Sequence, residues 1–174
     1  MKPITKYQKH VENVDEIPSA IQKAFRQATS GRPGPVFLEI SKEAFYGEIE
    51  QKDLPKISDP EKYRFKGRVA GNPTDIKKAA KMLVESEKPL IVAGGGAMNS
   101  EAWKEIQELS EYLQIPAATS VMGIGVISSD HKTFIGASMN APAVQSAAQA
   151  DLVLALGCKF SYTMAYGGKP LWKQ

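Results

Sequence analysis

The chain has 174 residues, with 22 Lys and Arg against 19 Asp and Glu and 43% hydrophobic residues, which suits one ordinary domain plus a short extra piece and excludes general disorder. A net charge of +3 with scattered lysines excludes a nucleic-acid footprint, and no apolar run approaches the roughly 18 residues of a membrane span. Cys158 as the single cysteine excludes an intrachain disulfide and every multi-cysteine zinc site, and with His10 and His131 as the other soft ligands no protein-built metal site is expected. The polar start, Met1-Lys2-Pro3-Ile4-Thr5-Lys6, carries no signal-peptide pattern, so a reducing cytoplasm is the expected location.

In chain order, residues 1–46 hold one helix pattern and one strand pattern. Asp15 caps the helix, Pro18 sits in its first turn, and Ile17, Ala20, Ile21, Ala24, Phe25 and Ala28 form one apolar stripe. Gly31 stops it, and Gly31-Arg32-Pro33-Gly34-Pro35 turns the chain into the strand-like run Val36–Ile40. One helix and one strand bury no core alone, so this piece is expected to be the remnant of another α/β domain. Residues 47–73 are polar and broken by Pro55, Pro60, Gly67, Gly71 and Pro73, and are expected to link two domains.

Residues 74–174 alternate helix and strand. Thr74 or Asp75 opens a helix with Ile76, Ala79, Ala80, Leu83 and Val84 on one face, and Pro89–Ala93 is a short buried-type strand. Ser100 is expected to cap a helix running to about Leu113, followed by a strand at Ile115–Thr119, an Ala-rich helix over 141–149 and a strand at 151–157. Short apolar strands alternating with amphipathic helices predict a doubly wound, mostly parallel, Rossmann-like α/β sheet. Three strands make a thin sheet, so the domain is expected to be incomplete. Ser161 to Gln174 shows no pattern.

Ligands of open α/β sheets sit at the carboxyl ends of the strands. Those ends are Gly94-Gly95-Gly96-Ala97, Thr119-Ser120-Val121-Met122-Gly123-Ile124-Gly125 and Gly157-Cys158-Lys159-Phe160. Two readings stand: glycines admitting a nucleotide-like ligand, or ordinary tight turns. The dinucleotide fingerprint G-x-G-x-x-G fails, because position 99 is Asn and no acid ends the next strand. His131 reads as a solvated surface residue, and Cys158 as a small, mostly buried thiol without an activating base. Met122, Met139 and Met164 suit either a pocket wall or the core, and Trp103 is expected between helices. Lys159 either reaches a phosphate or is solvated. No catalytic acid–base pair, nucleophile or metal set emerges.

Two sets of motifs in order carry a resemblance. Pro3-Ile4-Thr5-Lys6, Glu16-Ile17-Pro18, Ala24-Phe25-Arg26-Gln27-Ala28 and Ser30-Gly31-Arg32-Pro33-Gly34-Pro35-Val36 resemble the close of the pyrimidine-binding domain of thiamine-diphosphate-dependent enzymes. Lys88-Pro89, Gly94-Gly95-Gly96-Ala97, Ile115-Pro116-Ala117-Ala118-Thr119, Met122-Gly123-Ile124-Gly125, Asp130-His131 and Ala150–Gly157 resemble their central domain, with the acetolactate (acetohydroxyacid) synthase catalytic subunit nearest in flavour. The resemblance implies an internal fragment: 1–46 as the end of the pyrimidine domain, 47–73 as linker and 74–174 as an incomplete central domain.

The parent would decarboxylate a 2-oxo acid such as pyruvate and ligate the product to a second carbonyl, as in branched-chain amino acid biosynthesis. Another 2-oxo acid decarboxylase, a glyoxylate carboligase and a stand-alone nucleotide-binding module are the alternatives. Thiamine diphosphate and Mg2+ would be held outside this chain, whose sequence lacks the family's Gly-Asp-Gly motif, so the fragment alone is expected to be inactive. The family's central domain can carry a structural FAD. That likeness implies contacts from Arg68, from Gly94, Gly95 and Gly96, from a loop at Ser120, Val121 and Met122, from the next loop at Ile135, Gly136 and Ala137, and from Lys159. Flavin-containing members carry His-Gly where this chain has Ser138-Met139, and Arg followed by Asp-Asp-Arg where it has Lys159 and Ser161-Tyr162-Thr163. A homo-oligomer is expected, with no nucleic-acid or membrane partner.

Overall fold

The computed structural model describes residues 1–56, 59, 69–138 and 140–172. Arg68, Met139 and much of the expected linker lie outside the described residues. The chain divides into two units, Met1–Ala70 and Gly71–Gln174.

In the first unit, β1 (Tyr7–Val11) and β2 (Val36–Ile40) pair in parallel with Tyr7 opposite Val36, and α1 (Ile17–Thr29) connects them. Pro18 occupies the first turn as expected, but the N-cap is Glu16 rather than Asp15 and makes no side-chain cap bond. Of the apolar stripe, Ala20 and Ala24 are buried, while Ile21 and Phe25 remain exposed. The β1 strand is an addition to the single strand expected here. A short helix, α2 (Lys42–Phe45), follows β2, with the Ser41 hydroxyl accepting from the Ala44 N–H.

In the second unit, α3 (Pro73–Glu85) starts at an Asn72 cap whose side chain accepts from the Thr74 N–H, with Pro73 supplying a first-turn position that needs no donor. The strands are β3 (Pro89–Ala93), β4 (Ala117–Thr119), β5 (Phe134–Ala137) and β6 (Leu152–Leu156), all parallel in the order β5-β4-β3-β6. The helices are α4 (Gly95–Asn99), α5 (Trp103–Tyr112) and α6 (Ala141–Gln149). β3 is central, and Leu90 to Ala93 are all buried, as a strand covered on both faces requires. Successive residues face opposite ways. Ile91, Ala93 and Ala117 join Leu83 and Ile106 on one face, while Leu90 and Val92 join Ala147, Met164 and Trp172 on the other. This is the doubly wound α/β sheet that the residue pattern predicts.

Three local expectations need correction. Ile135-Gly136-Ala137 is not a loop but strand β5, a fourth strand in the sheet, paired with β4 through a register shift at Ala117/Ala118. Ser100 does not open the long helix: its N–H bonds to the Gly96 carbonyl and closes α4, and α5 begins after Ala102. After Ser161, residues 162–172 carry a turn over Tyr162–Gly167 and end at Trp172, which is buried. No helix among the described residues is long and apolar enough to cross a membrane.

Candidate functional site

Parallel pairing brings the carboxyl ends of β3, β4, β5 and β6 to one edge. The ladder continues into the turns there: Gly94 N–H donates to Leu156 O at 2.8 Å, Ser120 N–H to Ala93 O at 2.8 Å and Ser138 N–H to Thr119 O at 2.7 Å. The structure therefore gathers Gly94, Gly95, Gly96, Ser120, Val121, Met122, Ile135, Gly136, Ala137 and Lys159 along this edge of the second unit. The chain order of the sheet reverses between β3 and β6, and in doubly wound sheets the ligand crevice opens at that point.

Here the two turns flanking the reversal touch backbone to backbone. A Cβ placed on Gly94 would meet Cys158 Cα at 2.5 Å, and one on Gly96 would meet Gly157 Cα at 2.8 Å. Gly157 has φ +58°, a left-handed conformation suited to glycine, and a Cβ there would meet the Gly96 carbonyl carbon at 2.6 Å. From the β4 side, a Cβ on Gly123 would meet Gly94 Cα at 3.0 Å. Two more of the turn's donors are engaged. Gly96 N–H donates to Gly157 O at 2.8 Å and Ala97 N–H to Gly94 O at 3.0 Å. A dinucleotide diphosphate needs open glycine faces and several unengaged N–H groups together; with backbone filling the faces of Gly94 and Gly96 and only the Gly95 N–H of this turn unengaged, the turn does not fit that group.

Around the turn the loop tips are apolar and exposed: Val121 is 47% accessible, Met122 77% and Ile124 62%. Lys159 is exposed beside them. Two hydroxyls at this edge, Thr119 Oγ1 and Ser138 Oγ, are buried without a hydrogen-bond partner. The Cys158 thiol donates to Met164 Sδ at 3.5 Å. Burial pushes this thiol above its ordinary value, against a smaller opposing hydrogen bond to Ser120, so it is a protonated packing group and not a nucleophile.

Two polar clusters lie away from that edge. Asp151, just before β6, accepts from the Ser86 hydroxyl, from Glu87 N–H at 2.9 Å and from Lys88 N–H at 3.0 Å, tying the start of β6 to the start of β3. The Ser86 bond, opposed by desolvation and aided by the backbone bonds, lowers its carboxyl from 3.8 to about 2. His131 is not a solvated surface residue: its side chain is 13% accessible, and Nδ1 lies 2.9 Å from Thr133 Oγ1. Thr133 Oγ1 in turn lies 2.6 Å from Ser110 Oγ in a buried contact. Lys132, 2.6 Å from Glu111, holds that carboxyl below its usual range.

A cleft of about 620 Å³ opens at the amino ends of the strands, between Val84, Pro89, Leu113, Pro116 and Gln149. It lies at the opposite edge from the gathered candidates, and Ser86, on its wall, spends its hydroxyl on the Asp151 tie. Among the described residues, no group of three or more His, Cys, Asp or Glu could hold a metal ion. Trp103 and Met122 are exposed, whereas Met164 is fully buried. Sequence reasoning missed the partners of Gly157, the Asp151 tie and the Ser110–Thr133 contact. The one signal available was an acidic residue directly preceding an apolar strand.

A model of the family described as "Thiamine pyrophosphate enzyme, central domain" matches residues 76–174. A "Probable acetolactate synthase large subunit" of Methanocaldococcus jannaschii is 38% identical over 162 residues, 91% of this chain and 27% of that protein. The acetolactate synthase large subunit of Corynebacterium glutamicum is 32% identical over 161 residues, 91% of this chain and 25% of its own. The X-ray structure of a candidate thiamin diphosphate-dependent enzyme from Mycobacterium smegmatis superposes with a TM-score of 0.68 at 23% identity, covering 99% of this chain and 33% of that one. This chain thus spans about a quarter of the length of these curated relatives.

Proposed function

We propose, from the premise that this chain belongs to the thiamine pyrophosphate enzymes, with residues 76–174 matching their central domain, that it is the framework portion of an acetolactate synthase-like carboligase. The longer protein decarboxylates a 2-oxo acid of the pyruvate type and joins the product to a second carbonyl. Thiamine diphosphate with Mg2+, held by residues outside this chain, supplies the carbanion chemistry of that reaction. This chain's own part is architectural. Residues 1–46 close the pyrimidine-binding domain, 47–73 link, and 74–174 form a central domain whose Ser120, Val121, Met122 and Lys159 present one edge for contact.

The observation that carries this reading is the match of 91% of the chain, at 38% identity, to a relative named as an acetolactate synthase large subunit. The Cys158 thiol, raised by burial, and a carboxyl edge that carries no acid–base pair among the described residues support an architectural role. The exposed Ile21 and Phe25 on α1 support assembly into a homo-oligomer, and cytoplasmic residence accords with the reaction. The test is acetolactate formation from pyruvate by the 174-residue chain with thiamine diphosphate and Mg2+. No product is expected, and turnover by the chain alone would overturn the framework role.

A further inference from the structure

The crevice at the strand-order reversal is where a doubly wound sheet takes a dinucleotide, and it is also where this sheet brings β3 and β6 side by side. We infer that Gly94, Gly96, Gly123 and Gly157 form a closed backbone knot, which latches the turns after β3, β4 and β6 together and excludes the diphosphate of a flavin dinucleotide. The glycines are needed because backbone, not ligand, fills the space where side chains would stand. Gly94 faces Cys158, Gly96 and Gly157 face each other, and Gly123 faces Gly94. Three of the donors that would hold a phosphate are committed, Gly94 to Leu156, Gly96 to Gly157 and Ala97 to Gly94, which leaves Gly95 N–H as a lone donor in the turn where a diphosphate needs several. α4, which follows the turn, has five residues, too short for a strong dipole at its start. Lys159, exposed at this edge, offers a point charge and not the planar fork that grips a diphosphate from two sides. The inference is independent of the carboligase reading and holds whichever 2-oxo acid the longer protein takes.

The test uses the whole chain and two readouts. Gly96→Ala and Gly157→Ala push a methyl group into backbone and are expected to lower the melting temperature of the second unit by about 5–15 °C, or to abolish its transition. Gly95→Ala meets only Met122 Cβ at 3.1 Å and Met122 O at 3.2 Å, and is expected to fall less. Melting temperatures unchanged in both Gly96→Ala and Gly157→Ala would overturn the knot. Where these variants fail to fold, hydrogen exchange on the unaltered chain decides. Gly96 and Ala97 amides exchanging as slowly as those of β3 uphold the knot, and exchange as fast as in exposed loops overturns it. In parallel, flavin fluorescence is titrated with FAD. Absence of saturable quenching, or saturable quenching that Gly95→Ala leaves unchanged, keeps the diphosphate off this turn. Saturable quenching lost in Gly95→Ala overturns the inference.

Discussion

Trp172 offers a sharp test of how the sheet's second face is closed. Its side chain is 6% exposed and packs with Leu90, Val92, Ala147 and Met164. The indole Nε1–H donates to Met164 O at 2.7 Å, and the ring meets Phe160 edge-on at 5.1 Å between centroids. Trp172→Ala removes all three interactions and enlarges a small existing cavity bounded by Leu90, Val92, Ala118 and Ser138. Full truncation of a buried tryptophan costs about 3–5 kcal/mol. Within that, the ring pair accounts for about 0.5–1.5 kcal/mol and the hydrogen bond for about 1 kcal/mol. Trp172→Phe keeps much of the packing but leaves the Met164 carbonyl without its donor, a loss of about 1–3 kcal/mol. Urea unfolding followed by far-UV circular dichroism is the suitable assay, because fluorescence would lose one of only two tryptophans. The expected order of midpoints is wild type, then Trp172→Phe, then Trp172→Ala, with unchanged slope. A Trp172→Ala midpoint equal to wild type would show that the segment after Tyr162–Gly167 does not close this face.

Other expectations follow from the polar ties and the core. Asp151 titrates lower in the folded chain than unfolded, so its stabilising contribution is complete above pH 4 and is lost as pH falls from about 4 to about 2. Acid unfolding of Asp151→Asn should therefore lack the part of the pH dependence seen in wild type over that window, and identical profiles would refute the tie. Ser110→Ala and Thr133→Val each remove one end of a buried 2.6 Å contact, and a double-mutant cycle should return a coupling of about 0.5–3 kcal/mol. Strict additivity would show that the two hydroxyls do not bond. Ile91→Ala, at a fully buried position at the centre of β3, should cost about 2–5 kcal/mol in the same urea assay.

Where a single physical constraint governed a segment, the sequence showed it. β3 and β6 are continuous apolar runs, β3 being buried from Leu90 to Ala93 as a strand covered on both faces must be, and the stripes of α1 and α3 follow helical spacing. β1 was hidden because Tyr7-Gln8-Lys9-His10-Val11 is mostly polar and buries only Val11 fully. β5 was hidden by Gly136 and by its irregular register, both of which read as loop. The helix start at Ser100 was misplaced because a serine closing one short helix looks the same, in sequence, as a serine opening the next. At the carboxyl edge, the strand-end glycines lie close together in space, as their positions after β3, β4 and β6 require. What fills the space beside each glycine is a matter of long-range packing between residues about thirty to sixty positions apart, and no local pattern encodes it. His131 reads as solvated for the same reason: its partner Thr133 Oγ1 is met by Ser110, which arrives from α5.

The most direct measurement grafts this chain into the matching quarter of the Methanocaldococcus jannaschii relative and follows acetolactate formed from pyruvate with thiamine diphosphate and Mg2+. The framework account predicts a chimaera that assembles like the parental enzyme and turns over pyruvate to acetolactate. A chimaera that assembles and binds thiamine diphosphate as the parental enzyme does, yet makes no acetolactate, would contradict it.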